Sequence, residues 1–104
     1  MSIQEEIQND ITRNKVMLYM KGTPESPMCG FSAQAVNILK SYNIDFGTKN
    51  VLDSDELRQG IKEFTDWPTI PQIFINGQFI GGCDIITEMH QNGELKTLLD
   101  EIQG

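Results

Sequence analysis

Asn76-Gly77 stands between two short runs rich in β-forming residues, QIFI and QFIGG, and forms the strongest short-range hairpin signal in the chain. A two-residue turn of this kind needs positive φ at both central positions, which Asn and Gly tolerate, and its twist suits two antiparallel strands. The sheet therefore carries an antiparallel edge. What precedes that edge follows another pattern. VMLYM is a short, continuous apolar run closed by Lys21-Gly22, which predicts a buried strand. The loop GTPESPM holds two prolines and cannot be helical throughout. From Cys29 the spacing of Ser32, Ala35, Val36, Leu39 and Tyr42 predicts a helix ending at Asn43, and DFGTKNV holds a second strand. Strand, helix and strand in that order imply a parallel pair joined by a right-handed crossover.

The remaining helices have clear starts. Ser2 and Glu5 form a capping box ahead of Ile3, Ile7 and Ile11, an amphipathic stripe that runs out near Asn14. Asp53 or Ser54 caps a helix that buries Leu57, Ile61 and Phe64. Asp84 is placed to cap a helix through Ile86 and Met89, which Asn92-Gly93 interrupts before Leu95, Leu98, Leu99 and Ile102 form a last apolar face. The order α, β, α, β, α, β, β, α, α predicts an α/β chain with a mixed four-stranded sheet flanked by helices, the arrangement of a thioredoxin-like fold. At 104 residues, one domain spanning residues 1–104 is expected. Such a chain buries roughly two-thirds of its unfolded surface.

Eight basic residues against fifteen acidic ones leave a net charge of -7, which disfavours nucleic acid and anionic membrane surfaces. VMLYM falls far short of the ~20 apolar residues that span a bilayer, and the opening Glu5 and Glu6 fit neither a secretory signal nor an Arg-rich transit peptide. A cytoplasmic protein is expected, and a matured organelle protein would read the same way. With only two cysteines, Cys29 and Cys83, a reducing compartment and free thiols are the default expectation.

Cys29 sits in a loop at the predicted start of a helix, where unpaired N–H groups and the positive end of the helix dipole favour an anion. Lys21 adds a second positive charge, and such features lower a cysteine pKa. A free cysteine is often a buried, inert residue, but the neighbours Pro27, Met28 and Gly30 lie in a loop and favour a reactive thiol. Ser32 stands where a two-cysteine redox motif carries its second thiol. Ile70-Pro71 comes directly before a strand, where proline is admitted, and the residues alone favour its trans form. Arg58 and Lys62 lie one helical turn apart; spacing alone favours a solvated face paired with Asp55 or Glu63 over a ligand site. In GGCD, the glycines allow close approach to the backbone and Asp84 opens a helix whose N–H groups can hold a carboxylate, or is simply its cap. His90 has no partner at metal-ligand spacing and reads as structural. Two cysteines and one histidine fall short of the four thiolate or imidazole ligands typical of a closed zinc or iron-sulfur site, which disfavours such a site within one chain.

MCGFS, preceded by KGTPESP and followed by WPTIPQIFINGQFIGGCD, resembles the monothiol glutaredoxins of the Cys-Gly-Phe-Ser type, with agreement from about Ile3 to the end of the chain. The resemblance implies a glutathione site. Lys21, Arg58 and Lys62 would face the glycyl carboxylate, Ile70 before a cis Pro71 would bond the cysteinyl backbone, Cys83 and Asp84 would hold the γ-glutamyl end, and Phe31 would shape the surface beside the Cys29 thiol. On this footing the ligand reading of Arg58 and Lys62 overtakes the solvated one. It further implies a [2Fe-2S] cluster carrier: two protomers would hold the cluster through one Cys29 each and two glutathione thiolates, and pass it to iron-sulfur recipient proteins or bind a BolA-family partner. The alternative is a weak glutathione-dependent oxidoreductase in which Cys29 attacks a glutathionylated protein and a second glutathione releases the product. A disulfide between Cys29 and Cys83 under oxidation would depend on their separation.

Overall fold

The computed structural model describes residues 1–103. Its main sheet has four strands, β1 (Val16–Met20), β4 (Gly47–Asn50), β5 (Gln72–Ile75) and β6 (Gln78–Gly81), in the spatial order β4-β1-β5-β6. β1 runs parallel to β4 and antiparallel to β5, and β5 pairs antiparallel with β6. The expected mixed sheet is therefore present. Asn76 and Gly77, at φ 53° and 79°, make the predicted turn between β5 and β6. In the loop after β1 the prolines do not prevent pairing: Gly22–Thr23 (β2) and Ser26–Pro27 (β3) form a two-stranded ribbon beyond the reach of periodicity.

Among the described residues five α-helices cover the sheet: α1 (Ile3–Arg13), α2 (Gly30–Lys40), α3 (Asp55–Thr65), α4 (Cys83–Asn92) and α5 (Glu94–Gln103). The capping box at Ser2 and Glu5 forms in full, and between the two candidate caps of α3 it is the Ser54 side chain that accepts the Leu57 N–H. Asp84 does not cap α4. Gly82 occupies that position with no side-chain bond, and Asp84 lies within the first turn, because the strand runs through Gly81 directly into the helix.

β1 is buried at all five positions. Its alternation divides the interior in two: Val16, Leu18 and Met20 join Val36, Leu39, Ile86, Leu95 and Leu99, whereas Met17 and Tyr19 join Ile7, Ile11, Leu57, Ile61 and Phe74. The first group lies between the sheet and α2, α4 and α5, and the second between the sheet and α1 and α3. Each helix stripe predicted from the sequence thus finds a face of the sheet, and a strand covered on both sides reads as an unbroken apolar run for that reason.

The second core is rich in aromatic edges. Phe74 lies 5.9 Å from Tyr19, 6.1 Å from Phe64 and 5.5 Å from Phe79 between ring centroids. The Tyr19 hydroxyl donates to Asp10 at 2.9 Å, and Lys49 pairs with the same carboxylate oxygen at 2.9 Å, so α1, β1 and β4 share one polar knot. Burial, reinforced by the Asp10 carboxylate, pushes the Tyr19 phenol well above its ordinary pKa and keeps it a neutral donor. Because Phe74 touches three aromatic partners, Phe74→Ala is expected to destabilise the fold by about 3–5 kcal/mol in denaturant unfolding. A loss below about 1 kcal/mol would show that this core readily closes over the cavity.

Candidate functional site

The pairing directions bring four chain segments to one end of the sheet. Met20, the last residue of β1, lies opposite Asn50, the last of β4, while Tyr19 lies opposite Gln72, the first residue of β5. The chain leaving β1 through Lys21, the chain leaving β4 into α3, the chain entering β5 through Ile70-Pro71 and the chain leaving β6 into α4 therefore meet. Between them lies a cleft of about 510 Å3. Lys21, Cys29 and Phe31 line one part of it, Arg58 and Lys62 another, and Ile70, Pro71, Cys83 and Asp84 the remainder. All nine residues singled out in the sequence thus surround one space, and the Ile70-Pro71 bond is cis.

Cys29 is the N-cap of α2, with extended backbone at φ -156° and ψ 137°. Its carbonyl accepts the Ala33 N–H at 2.9 Å, which leaves earlier N–H groups of the helix free to face the sulfur. The Ser32 N–H does most to hold the Cys29 thiol below its ordinary pKa; the Phe31 N–H, the charge of Lys21 and the Ser32 hydroxyl add to it, against a smaller opposing effect of burial. The helix end expected to favour a thiolate does so mainly through one amide, with Lys21 secondary. Cys83 shows the opposite behaviour: burial pushes its thiol up, and the Asp84 and Cys29 charges push the same way against a weak bond from Thr87. Both cysteines are free thiols.

Ser32 has a larger part than the sequence indicated. It is fully buried, and its hydroxyl accepts the Lys21 N–H at 3.0 Å. The residue that replaces a second thiol thus fastens the strand end to the start of α2. Around the sulfur the surface is apolar: Met28 and Phe31 are 66% and 60% exposed, and Trp67 is 37% exposed. Elsewhere in the cleft lining the Arg58 and Lys62 side chains form no ion pair with any described residue, so the pairing with Asp55 or Glu63 does not occur. Lys62 is half-buried in the cleft wall.

Trp67, Pro68, Thr69 and Gly82 complete the cleft. Sequence reasoning did not place them there, although the WPT run directly before Ile70-Pro71 was the available signal. The glycines of GGCD answer first to packing. A Cβ on Gly81, whose φ is 149°, would lie 2.7 Å from the Ile85 side chain, and one on Gly82 would lie 3.2 Å from the Pro71 carbonyl. They let α4 start hard against the cis-proline segment. His90 lies at the far end of α4, where its Nδ1 bonds the Tyr42 hydroxyl, outside the cleft. Among the described residues no helix is long and apolar enough to cross a membrane.

A mixed sheet of this topology with an accessible, acidified thiol at a helix start defines a thiol protein of the thioredoxin-like fold. The glutaredoxin family profile matches residues 16–80. Monothiol glutaredoxin-S15 of Arabidopsis thaliana, named as mitochondrial, is 50% identical over 99% of this chain, which spans 61% of that protein's length. The solution structure of a monomeric truncated mutant of Trypanosoma brucei 1-C-Grx1 superposes with a TM-score of 0.89 at 36% identity, over 99% of this chain and 93% of that one. A buckwheat glutaredoxin in complex with glutathione shares the fold at a TM-score of 0.85 and 24% identity, over 95% of this chain and 88% of that one. The chain belongs to the glutaredoxin family, among its monothiol members. The cytoplasmic expectation gains no support from relatives, several of which are named mitochondrial; an organelle protein is compatible with them.

The two thiols should separate cleanly by reactivity. At neutral pH and on a short timescale, a bulky alkylating reagent is expected to label one thiol per native chain, at Cys29, and two after unfolding. The Cys29 rate should follow its thiolate fraction, with a midpoint below the ordinary range near 8.5. Mass spectrometry showing equal native labelling of Cys83, or a Cys29 midpoint at or above the ordinary value, would contradict this electrostatic account.

Proposed function

We propose that this cleft binds glutathione and that the protein carries a [2Fe-2S] cluster between two protomers. One observation carries the reading: a lone accessible thiol of lowered pKa shares its cleft with cations that form no ion pair with any described residue, and its neighbour at the usual resolving position is a buried serine already engaged by the chain. Glutathione offers two carboxylates, one ammonium, a peptide backbone and a thiol. Lys21, Arg58 and Lys62 suit the glycyl carboxylate; the first N–H groups of α4, with Asp84, suit the γ-glutamyl end beside Cys83. The Ile70 N–H and carbonyl, which form no hydrogen bond with other described residues, suit the cysteinyl backbone. Binding of glutathione by the buckwheat relative supports this assignment.

The donor set sets how a cluster can be held. Among the described residues no three His, Cys, Asp or Glu side chains gather to bind a metal ion. A [2Fe-2S] cluster takes four thiolates, so Cys29 from each of two chains and two cleft-bound glutathiones complete the count. Two of the four ligands are then exchangeable, which suits a cargo that must be surrendered to an iron-sulfur recipient or shared with a BolA-family partner.

The depressed Cys29 pKa supports a second, thiol-exchange reading. The Cys29 thiolate attacks the glutathione sulfur of a protein mixed disulfide, forms a Cys29–glutathione disulfide and expels the protein thiolate. The thiolate of a second glutathione then attacks that disulfide, which regenerates Cys29 and releases glutathione disulfide. Ser32 cannot substitute for the second glutathione.

Anaerobic reconstitution with iron, sulfide and glutathione separates the two readings. The carrier reading predicts a coloured dimer whose native mass includes two glutathiones and one cluster, lost without glutathione and in Cys29→Ser. A colourless monomer that rapidly deglutathionylates a test protein would overturn it in favour of the exchange reading.

A further inference from the structure

Gln72 has no exposed surface. A buried amide must place two N–H groups and one oxygen. Its Nε2 donates to the Trp67 carbonyl at 3.0 Å and to the Thr69 carbonyl at 3.2 Å. Carbonyls only accept, so the amide nitrogen must face them and the side chain has one admissible orientation. Its Oε1 accepts from the Thr65 hydroxyl at 2.8 Å. That hydroxyl also lies 3.0 Å from the Ile61 carbonyl, so its proton is shared between the last turn of α3 and the amide. The Gln72 backbone, meanwhile, is paired in the sheet opposite Tyr19.

Residues 67–70 have few other hydrogen bonds, although Ile70 is buried in the second core and the Trp67 ring lies 5.9 Å from that of Phe79. They are neither helix nor strand, and all four line the cleft. Apart from the two bonds from Gln72, their one hydrogen bond with other described residues runs from the Trp67 N–H to the Lys62 carbonyl at 3.2 Å. Pro68 has no N–H to offer. This part of the cleft wall is thus an irregular segment whose Trp67 and Thr69 carbonyls are fixed by one buried side chain.

We propose that Gln72 is a positioning residue for ligand recognition: it carries the rigidity of the β1–β5 ladder into residues 67–70 and so holds the Ile70 backbone ready for a peptide ligand. The proposal rests on the reading of the cleft as a glutathione site. Gln72 touches no ligand and acts only through the wall, so it governs affinity and leaves the Cys29 thiolate, built on α2, unaffected.

The test uses the full chain with Gln72→Met, which keeps the volume and removes both donors. Trp67 is the chain's single tryptophan, so its fluorescence reads this wall without any ligand. In Gln72→Met, acrylamide quenching of Trp67 should increase and glutathione affinity measured by calorimetry should fall about tenfold, as expected for the loss of about one net buried hydrogen bond. The pH midpoint of Cys29 alkylation should not move. If Gln72→Met does not fold, Thr65→Val carries the test; it leaves the two carbonyl bonds but frees the amide oxygen, and a smaller change in the same direction is expected. A folded variant with wild-type quenching and affinity would overturn the proposal, as would a Cys29 midpoint that shifts together with them, since that marks general loosening. Should wild-type protein fail to bind glutathione, the reading of the cleft falls, and Trp67 quenching still decides whether Gln72 holds the wall.

Discussion

The site depends on the register of β1 with its two neighbours. β1 is buried on both faces and can only be a central strand, so it has one partner on each side. Parallel pairing with β4 and antiparallel pairing with β5 place the end of β1, the end of β4 and the start of β5 at the same edge. Everything chemical in the cleft is attached there. A one-residue slip of β1 would turn Met17 and Tyr19 into the space of Val16, Leu18 and Met20, and the two cores forbid it.

On that frame the chemistry is divided between backbone and side chain. Amides at the start of α2 stabilise the Cys29 thiolate, and the Ser32 hydroxyl holds the chain that delivers it. Cations line the same cleft, in a protein whose net charge is -7. A small anionic peptide can reach them, whereas an extended polyanion would meet repulsion from the rest of the surface. The same division holds the Cys83 thiol, in the same cleft, above its ordinary pKa: it is buried beside Asp84.

Much of this was legible because each element obeys one period. Ile7 and Ile11, or Leu57 and Ile61, announce a helix face, and Asn76-Gly77 announces a hairpin. Resemblance around MCGFS and WPTIP then joined residues that lie far apart in the chain. What stayed hidden depends on tertiary neighbours. No local pattern told that Gly82 would take the cap position from Asp84, that GTPESP would pair with itself, or that Gln72, polar and at a strand start, would be wholly buried. Ser32 was legible as a missing thiol; its part as an acceptor required the Lys21 backbone to be brought beside it.

The central claim is that one end of the sheet forms a single glutathione-binding surface around a thiolate. Chemical-shift mapping of 15N-labelled protein titrated anaerobically with glutathione tests it most directly. The account predicts perturbed amides at Lys21, Arg58, Lys62, Ile70, Cys83 and Asp84, with α5 and the Asn76-Gly77 turn unaffected. Perturbation confined to other surfaces, or none at millimolar glutathione, would contradict it.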